Sequence, residues 1–267
     1  MDEFSRSNRS LWNEWARIHA ASDFYHLDDF KSGAITLNDL ERGEVGPVAG
    51  KSLLHLQCHF GLDSLSWARL GASVTGVDFS DEAISMAGQL AQELGIPARF
   101  LCSDIYALDD VLQKQFDIVF TSYGVLSWLP DIPRWAKIAA ERVKPGGFFY
   151  LAEFHPFAWV LDDEAQEYRL RYPYFNRDVM AFQVQGSYAD RAAKVETNVE
   201  YGWNHTLGEI ITSLIDAGLT LEFLHEFPFS VYEQLPFLKP DGRGLWRQND
   251  EPAMMPLMFS LKAWKRD

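Results

Sequence analysis

The chain is short of the residues that would take it out of a reducing, aqueous setting. Two cysteines, Cys58 and Cys102, in 267 residues build no disulfide framework and fit a reducing compartment. No stretch approaches the length of uninterrupted apolar sequence that spans a bilayer, so no membrane partner is expected. The opening residues, MDEFSRSNRSLWNEWARIHA, carry charges early and lack an apolar core of signal-peptide length. A cytoplasmic protein is the expectation. Basic residues are scarce as well: 24 Lys and Arg stand against 38 Asp and Glu, a formal net charge of −14. The few that exist form no cluster, and such a chain suits neither nucleic acid nor an anionic surface. Converging metal ligands are also lacking. His55, Cys58 and His59 are near in sequence, but strand alternation across a turn separates them, and metal sites need three or four groups together. No metal is expected.

What is present is a globular composition, 47% hydrophobic and 23% charged, with alternating strand and helix signals. Residues 8 to 30 read as an aromatic helix with Leu11, Trp12, Trp15, Ile18 and His19 at helical spacing. A loop is expected from Gly43 to Gly50. KSLLHLQC then reads as a buried strand and LDSLSWARLG as a helix stopped by Gly71. SVTGVDF is a second strand, followed by a helix with Ser80 as cap, acids in its first turn and Gly95 at its end. ARFLCSD and QFDIVFTSY are the third and fourth strands; DIPRWAKIAAERVKPGG is a helix closed by Pro145, Gly146 and Gly147, and FFYLAEF is the fifth strand. Strands alternating with helices imply a parallel sheet covered on both faces.

The pattern breaks after Glu153. MAFQVQGSY and AKVETNVEY read as an antiparallel hairpin. The α/β order resumes with a capping box at Thr206 and Glu209, a helix ended by Gly218, and the strands LTLEFLHEF and MPLMFSLKAWK. Three segments follow: residues 1–50 as a helical N-terminal cap, 51–153 with 206–267 as a Rossmann-like domain, and 154–205 as an inserted lid or substrate wall. The insertion leaves from the carboxyl edge of the sheet, where ligands of open α/β sheets bind.

That edge carries the candidate site. Asp78 ends the second strand, where a carboxylate can accept hydrogen bonds from ribose hydroxyls; the competing role is capping the next helix, for which Ser80 also stands ready. Asp104 follows the third strand and can accept from an adenine amino group with Ile105 against the ring, or merely fix a local turn. The first turn, LQCHFG, is the odd part. A pyrophosphate must approach backbone through glycines, and here Gln57, His59 and Phe60 stand in the way. Gly61 is the one residue free to adopt an unusual φ. An adenosine ligand without phosphates needs no more, and Gln57 and His59 can offer donors to a carboxylate.

On these residues the chain resembles the class I S-adenosylmethionine-dependent methyltransferases, from Lys51 to about Phe154 and again from Thr206 onward. The first turn departs from that family's acid-and-glycine pattern at His55, Gln57 and His59. The resemblance implies an α/β, Rossmann-like, mostly parallel seven-stranded sheet with helices on both faces and an antiparallel last strand. It implies S-adenosyl-L-methionine as cofactor, contacted by Gln57, Cys58, His59, Gly61, Asp78, Phe79, Asp104, Ile105, Ser122 and Tyr123. It implies methyl transfer to a small-molecule acceptor whose accepting N, O or S atom stays open. His155, in EFHP at the same edge, is a candidate general base or a loop histidine held by hydrogen bonds. Tyr123 is the second catalytic candidate. Two other classes share the sheet and Asp78: an NAD-dependent oxidoreductase, disfavoured by the glycine-poor turn, and a non-catalytic binder of an adenosine ligand.

Overall fold

The structure, a computed structural model, describes residues 1–249 and 252–266. Helix α1 (Glu3–Ala21) starts where the Asp2 carboxylate accepts from the Ser5 N–H, earlier than its aromatic stripe suggests. It buries Asn8, Leu11, Trp15, Ala16 and His19. The expected single helix to residue 30 is broken: Ser22 is extended, a short 3-10 turn covers Asp23–Tyr25, and His26 has φ 46° before α2 (Leu27–Lys31). The expected loop from Gly43 is partly helix. Helix α3 (Asp39–Val45) is started by a capping box in which Asn38 and Glu41 satisfy each other's backbone N–H groups, and Gly46 ends it at φ 74°.

The main sheet then builds from β1 (Ser52–Leu56), α4 (Leu62–Arg69), β2 (Ser73–Asp78), α5 (Asp81–Leu94), β3 (Ala98–Cys102), β4 (Phe116–Ser122), α6 (Ile132–Arg142) and β5 (Val143–Phe154). The hairpin expected in the insertion is present as β6 (Met180–Gln183) paired antiparallel with β7 (Val199–Gly202). Helix α7 (Leu207–Asp216) and β8 (Leu219–Phe227) follow. A second excursion, not read from the sequence, holds the small antiparallel strands β9 (Phe229–Ser230), β10 (Lys239–Pro240) and β11 (Trp246–Arg247) before β12 (Met258–Lys265).

The seven strands lie in the order β3-β2-β1-β4-β5-β12-β8, with β12 antiparallel to both neighbours. Both faces are covered, so strands read as continuous apolar runs whose residues alternate between two cores. Leu54, Val119, Phe149 and Leu151 pack with Trp135 and Ile138 of α6 and Ile210 and Leu214 of α7. Leu53, Ile118, Phe148 and Tyr150 pack on the other side with Val45 of α3 and Trp67 of α4. Pro145, Gly146 and Gly147 fall inside the irregular start of β5, not after the helix. A Cβ on Gly147 would stand 2.7 Å from the Asp117 carbonyl oxygen, so the strand needs glycine to come this close. At α7 only half the expected capping box forms: Thr206 accepts from the Glu209 N–H, while the Glu209 carboxylate lies 3.6 Å from His205. Among the described residues no helix is long and apolar enough to cross a membrane.

Candidate functional site

The turns after β1, β2, β3 and β4 converge at the carboxyl edge of the sheet, because neighbouring parallel strands end in register. The first turn resolves the puzzle of its missing glycines. Gln57, His59 and Gly61 all have positive φ, at 55°, 51° and 83°. The expectation that Gly61 alone takes such a conformation is therefore corrected. Two side-chain-bearing residues accept a backbone that favours glycine, at a cost of about 1–2 kcal/mol each. Phe60 is not among them; its ring is buried with Leu62, Leu65 and Ala83. Gly61 is bound to be glycine on two counts, since a Cβ there would meet Ala87 and Phe100 at 2.9 Å.

Each left-handed residue spends its side chain on a tie. Gln57 donates to the Val125 carbonyl at 3.3 Å and accepts from the Trp135 indole at 3.3 Å. The His59 Nε2 lies 2.7 Å from Nδ1 of His19 on α1. Burial lowers the pKa of both rings, His19 to about 3, so the two are neutral and share one N–H. His55, at the place of the resemblance's acid, is buried against Ser64 at 2.8 Å and likewise held neutral by burial. Cys58 is buried, and burial pushes its thiol pKa up, with the nearby Asp78 adding to the effect.

Asp78 fastens the first turn to the second. One carboxylate oxygen accepts from the His59 N–H at 2.8 Å and the other from the Ser80 N–H at 2.9 Å. The cap of α5 is Ser80, whose hydroxyl accepts from the Ala83 N–H. Asp78 is thus not spent on capping, and each oxygen keeps a lone pair for a further donor. Burial raises its pKa to about 6, against the backbone N–H groups of Ser80, His59 and Phe79. Phe79 is half-buried, and its carbonyl lies 3.6 Å from the Cys102 thiol. Asp104 caps the next 3-10 turn through the Tyr106 N–H at 3.0 Å. Its other oxygen stands 3.7 Å from the Met1 amino group. Ile105 is buried in the core under α6.

After β4 the backbone is again unusual: Tyr123 has φ 24° and Gly124 φ 73°. Glu153 holds this loop. Its buried carboxylate accepts from the N–H groups of Gly124, Val125, Leu126 and Phe154. The Tyr123 hydroxyl donates to Glu41, and Asn38 donates to the same hydroxyl at 3.4 Å. Burial raises Glu41 to about 7 and keeps Tyr123 protonated, so this phenol is a donor and not a base. Burial raises the pKa of Asp63 of α4 against the opposing effect of the Thr36 and Ser122 hydroxyls, and Thr36 donates to it at 2.6 Å. His155 is not brought beside these turns. Its Nδ1 accepts from the Phe157 N–H at 3.0 Å and its Nε2 faces Glu226 of β8 at 2.9 Å.

Over the edge lies a cover. Helix α1 contributes Trp12, whose ring stands 5.2 Å from His59 and 5.1 Å from Trp128. The Tyr25 and Tyr188 hydroxyls touch, and Tyr188 faces Tyr232 of the second excursion at 6.1 Å. Glu200 of β7 is pushed up to about 7, by burial first and Asp163 second, and its carboxylate has no hydrogen-bond or ion-pair partner among the described residues. Asp63, Glu41, His19 and Glu200 were not singled out from the sequence as site groups. His19 stood in the aromatic stripe of α1, where a polar ring on a buried face was the available signal; the others show no local pattern.

Three comparisons bear on this edge. A family model described as a methyltransferase domain matches residues 54–151, the span from β1 to β5. A ubiquinone biosynthesis O-methyltransferase of Proteus mirabilis is 31% identical over 173 residues, 57% of this chain and 70% of that protein. Another of that name, from Shewanella pealeana, is 34% identical over 107 residues, with 40% of this chain and 45% of that protein covered. An S-adenosylmethionine-dependent methyltransferase of Mesorhizobium loti superposes with a TM-score of 0.59 at 19% identity, over 87% of this chain and 99% of that one.

Proposed function

The chain belongs to the class I S-adenosylmethionine-dependent methyltransferases, and from that premise we propose that it methylates a small molecule held between the first turns and the cover. The observation that carries this reading is the meeting, at one sheet edge, of the left-handed turn 57–61 with the Asp78 carboxylate. The donor set fits the cofactor. Asp78 has lone pairs for both ribose hydroxyls, and the Asp104 oxygen that faces the Met1 amino group at 3.7 Å is the one an adenine amino group would take in its place. Phe79, half-buried next to Asp78, is the side chain offered to the adenine ring, while Ile105 is drawn into the core under α6. Gln57, Cys58, His59, Gly61, Ser122 and Tyr123 surround the methionine end, where Asp63 and the Glu153-held loop supply acceptors and backbone groups. When bound, the cofactor supplies a methyl group already activated by its sulfonium.

The protein's part is to orient and to dry the site. Residues 154–205 and α1 form the acceptor's outer wall, with Tyr25, Tyr188 and Tyr232 inside it. Carboxylates at this edge and the absence, among the described residues, of a cation paired with Glu200 favour a neutral or cationic acceptor over an anionic one. The relatives' names favour an oxygen acceptor. His155, engaged by Phe157 and Glu226, acts as a structural histidine in this reading. A cytoplasmic setting accords with the two free cysteines, one of them exposed. The test is incubation with methyl-labelled cofactor and pools of phenols, alcohols and amines. Label should move into an uncharged or basic acceptor as the demethylated cofactor appears. Absence of any turnover across the pools, with cofactor bound, would return the chain to a binding role.

A further inference from the structure

Helix α1 is tied to its surroundings in three directions. Toward the insertion, Asn8 exchanges two hydrogen bonds with the Tyr201 backbone, Glu14 accepts from the N–H groups of Glu196 and Thr197, and the Trp15 indole donates to the Gly186 carbonyl. Toward α5, Arg9 and Asn13 both donate to Asp81. Toward the cofactor turn there is, among the described residues, one polar tie: His19 to His59. His59 makes it from a φ of 51° that glycine would hold without strain. The tie also leaves His19 Nε2 and His59 Nδ1 buried without a partner. Strained backbone and orphaned buried nitrogens are costs that native structures keep for function.

We propose that His59 is a positioning residue: its imidazole latches α1, through His19, onto the cofactor turn, so that α1 and the insertion close over the bound cofactor as one cover. The proposal rests on the cofactor reading above. It explains why a histidine stands at a glycine position. A glycine there would relax the turn and cut the cover loose from it. Trp12, Tyr25 and Phe60 box the His59 ring at 5.2, 5.6 and 4.6 Å, so the side chain has one direction to point, toward α1.

The experiment uses His59→Gly, His19→Ala, the double variant and His19→Gln, with S-adenosylhomocysteine as probe. Glycine relieves the local φ but empties the ring's place in the aromatic box, so His59→Gly should still fold, with a somewhat lowered thermal midpoint. Hydrogen exchange across residues 3–21 of the full chain should speed up, and the probe should dissociate roughly tenfold faster, the scale of one lost hydrogen bond. The double variant should lose no more than either single one, because both remove the same tie. His19→Gln, whose amide can still bond a ring nitrogen, should recover part of the retention. If His59→Gly folds poorly, His19→Ala and His19→Gln alone carry the same comparison from the α1 side. Unchanged exchange and dissociation in the single variants, or fully additive losses in the double, would overturn the latch. Failure of wild-type protein to bind the probe in calorimetry would overturn the cofactor reading, and this role with it.

Discussion

Asp78 carries the chemistry of the smallest scale. Its two oxygens already accept backbone N–H groups, and burial still lifts its pKa to about 6. Only the carboxylate can take two more hydroxyl donors, and those donors pull its pKa down once bound. Cofactor affinity should therefore be flat above about pH 6 and fall below it, by at most roughly tenfold per pH unit. Asp78→Asn should weaken binding and remove that fall. Calorimetry from pH 5 to 8 checks both, and a wild-type affinity that is level down to pH 5 would refute the assignment. That Asp78 and Asp104 stand at strand ends was legible in the sequence, because apolar runs mark where the strands stop. The φ of Gln57 and His59 was not legible: local preference speaks against it, and what holds each is a distant partner, Val125 and Trp135 for Gln57 and His19 of α1, 40 positions away, for His59. Likewise the Tyr123 hydroxyl is fixed by Glu41, 82 positions distant.

Among the elements, the loop after β4 leans most on one carboxylate, that of Glu153. Glu153 reaches from β5 and gathers four N–H donors from residues 124–126 and 154. Removing it leaves several buried donors without a partner, each costing about 1–3 kcal/mol. Glu153→Ala should lose about 3 kcal/mol or more in urea unfolding and weaken cofactor binding through the displaced loop. A loss under about 1 kcal/mol would mean that water replaces the carboxylate. From the sequence this acid reads as either a substrate contact or a strand-end carboxylate. The regular elements were far more legible, because the two covered faces impose alternation on Leu53 and Leu54 or Ile118 and Val119. Errors fell where tertiary contact overrides local signal. Helix α3, started by the Asn38–Glu41 box, runs on to Val45 and so takes up the start of the loop expected from Gly43, and Pro145 to Gly147 are drawn into β5 by the close approach to Asp117.

On the scale of the whole molecule, the proposed site is one sheet edge, with α1 and residues 154–205 as its proposed cover. The insertion's Trp159 packs against Phe154 at 6.0 Å, and Tyr172 against Phe182 of β6 at 5.5 Å. If residues 154–205 wall the acceptor site, Trp159→Ala or Tyr172→Ala should lower acceptor turnover while cofactor affinity and oligomeric state hold. Loss of an oligomer in light scattering with turnover kept would make the insertion an interface instead. The second excursion, with Tyr232 facing Tyr188, went unread because its strands are only two residues long. The central claim is that the edge formed by Gln57–Gly61 and Asp78 holds the cofactor's adenosine and methionine parts. Titration calorimetry of S-adenosylhomocysteine into wild-type protein and into Asp78→Ala tests it most directly. The account predicts micromolar-range binding, about −8 kcal/mol, weakened at least roughly tenfold in the variant with its thermal midpoint preserved, and no comparable heat with NAD. Equal affinities for wild type and Asp78→Ala, or tighter binding of NAD, would contradict it.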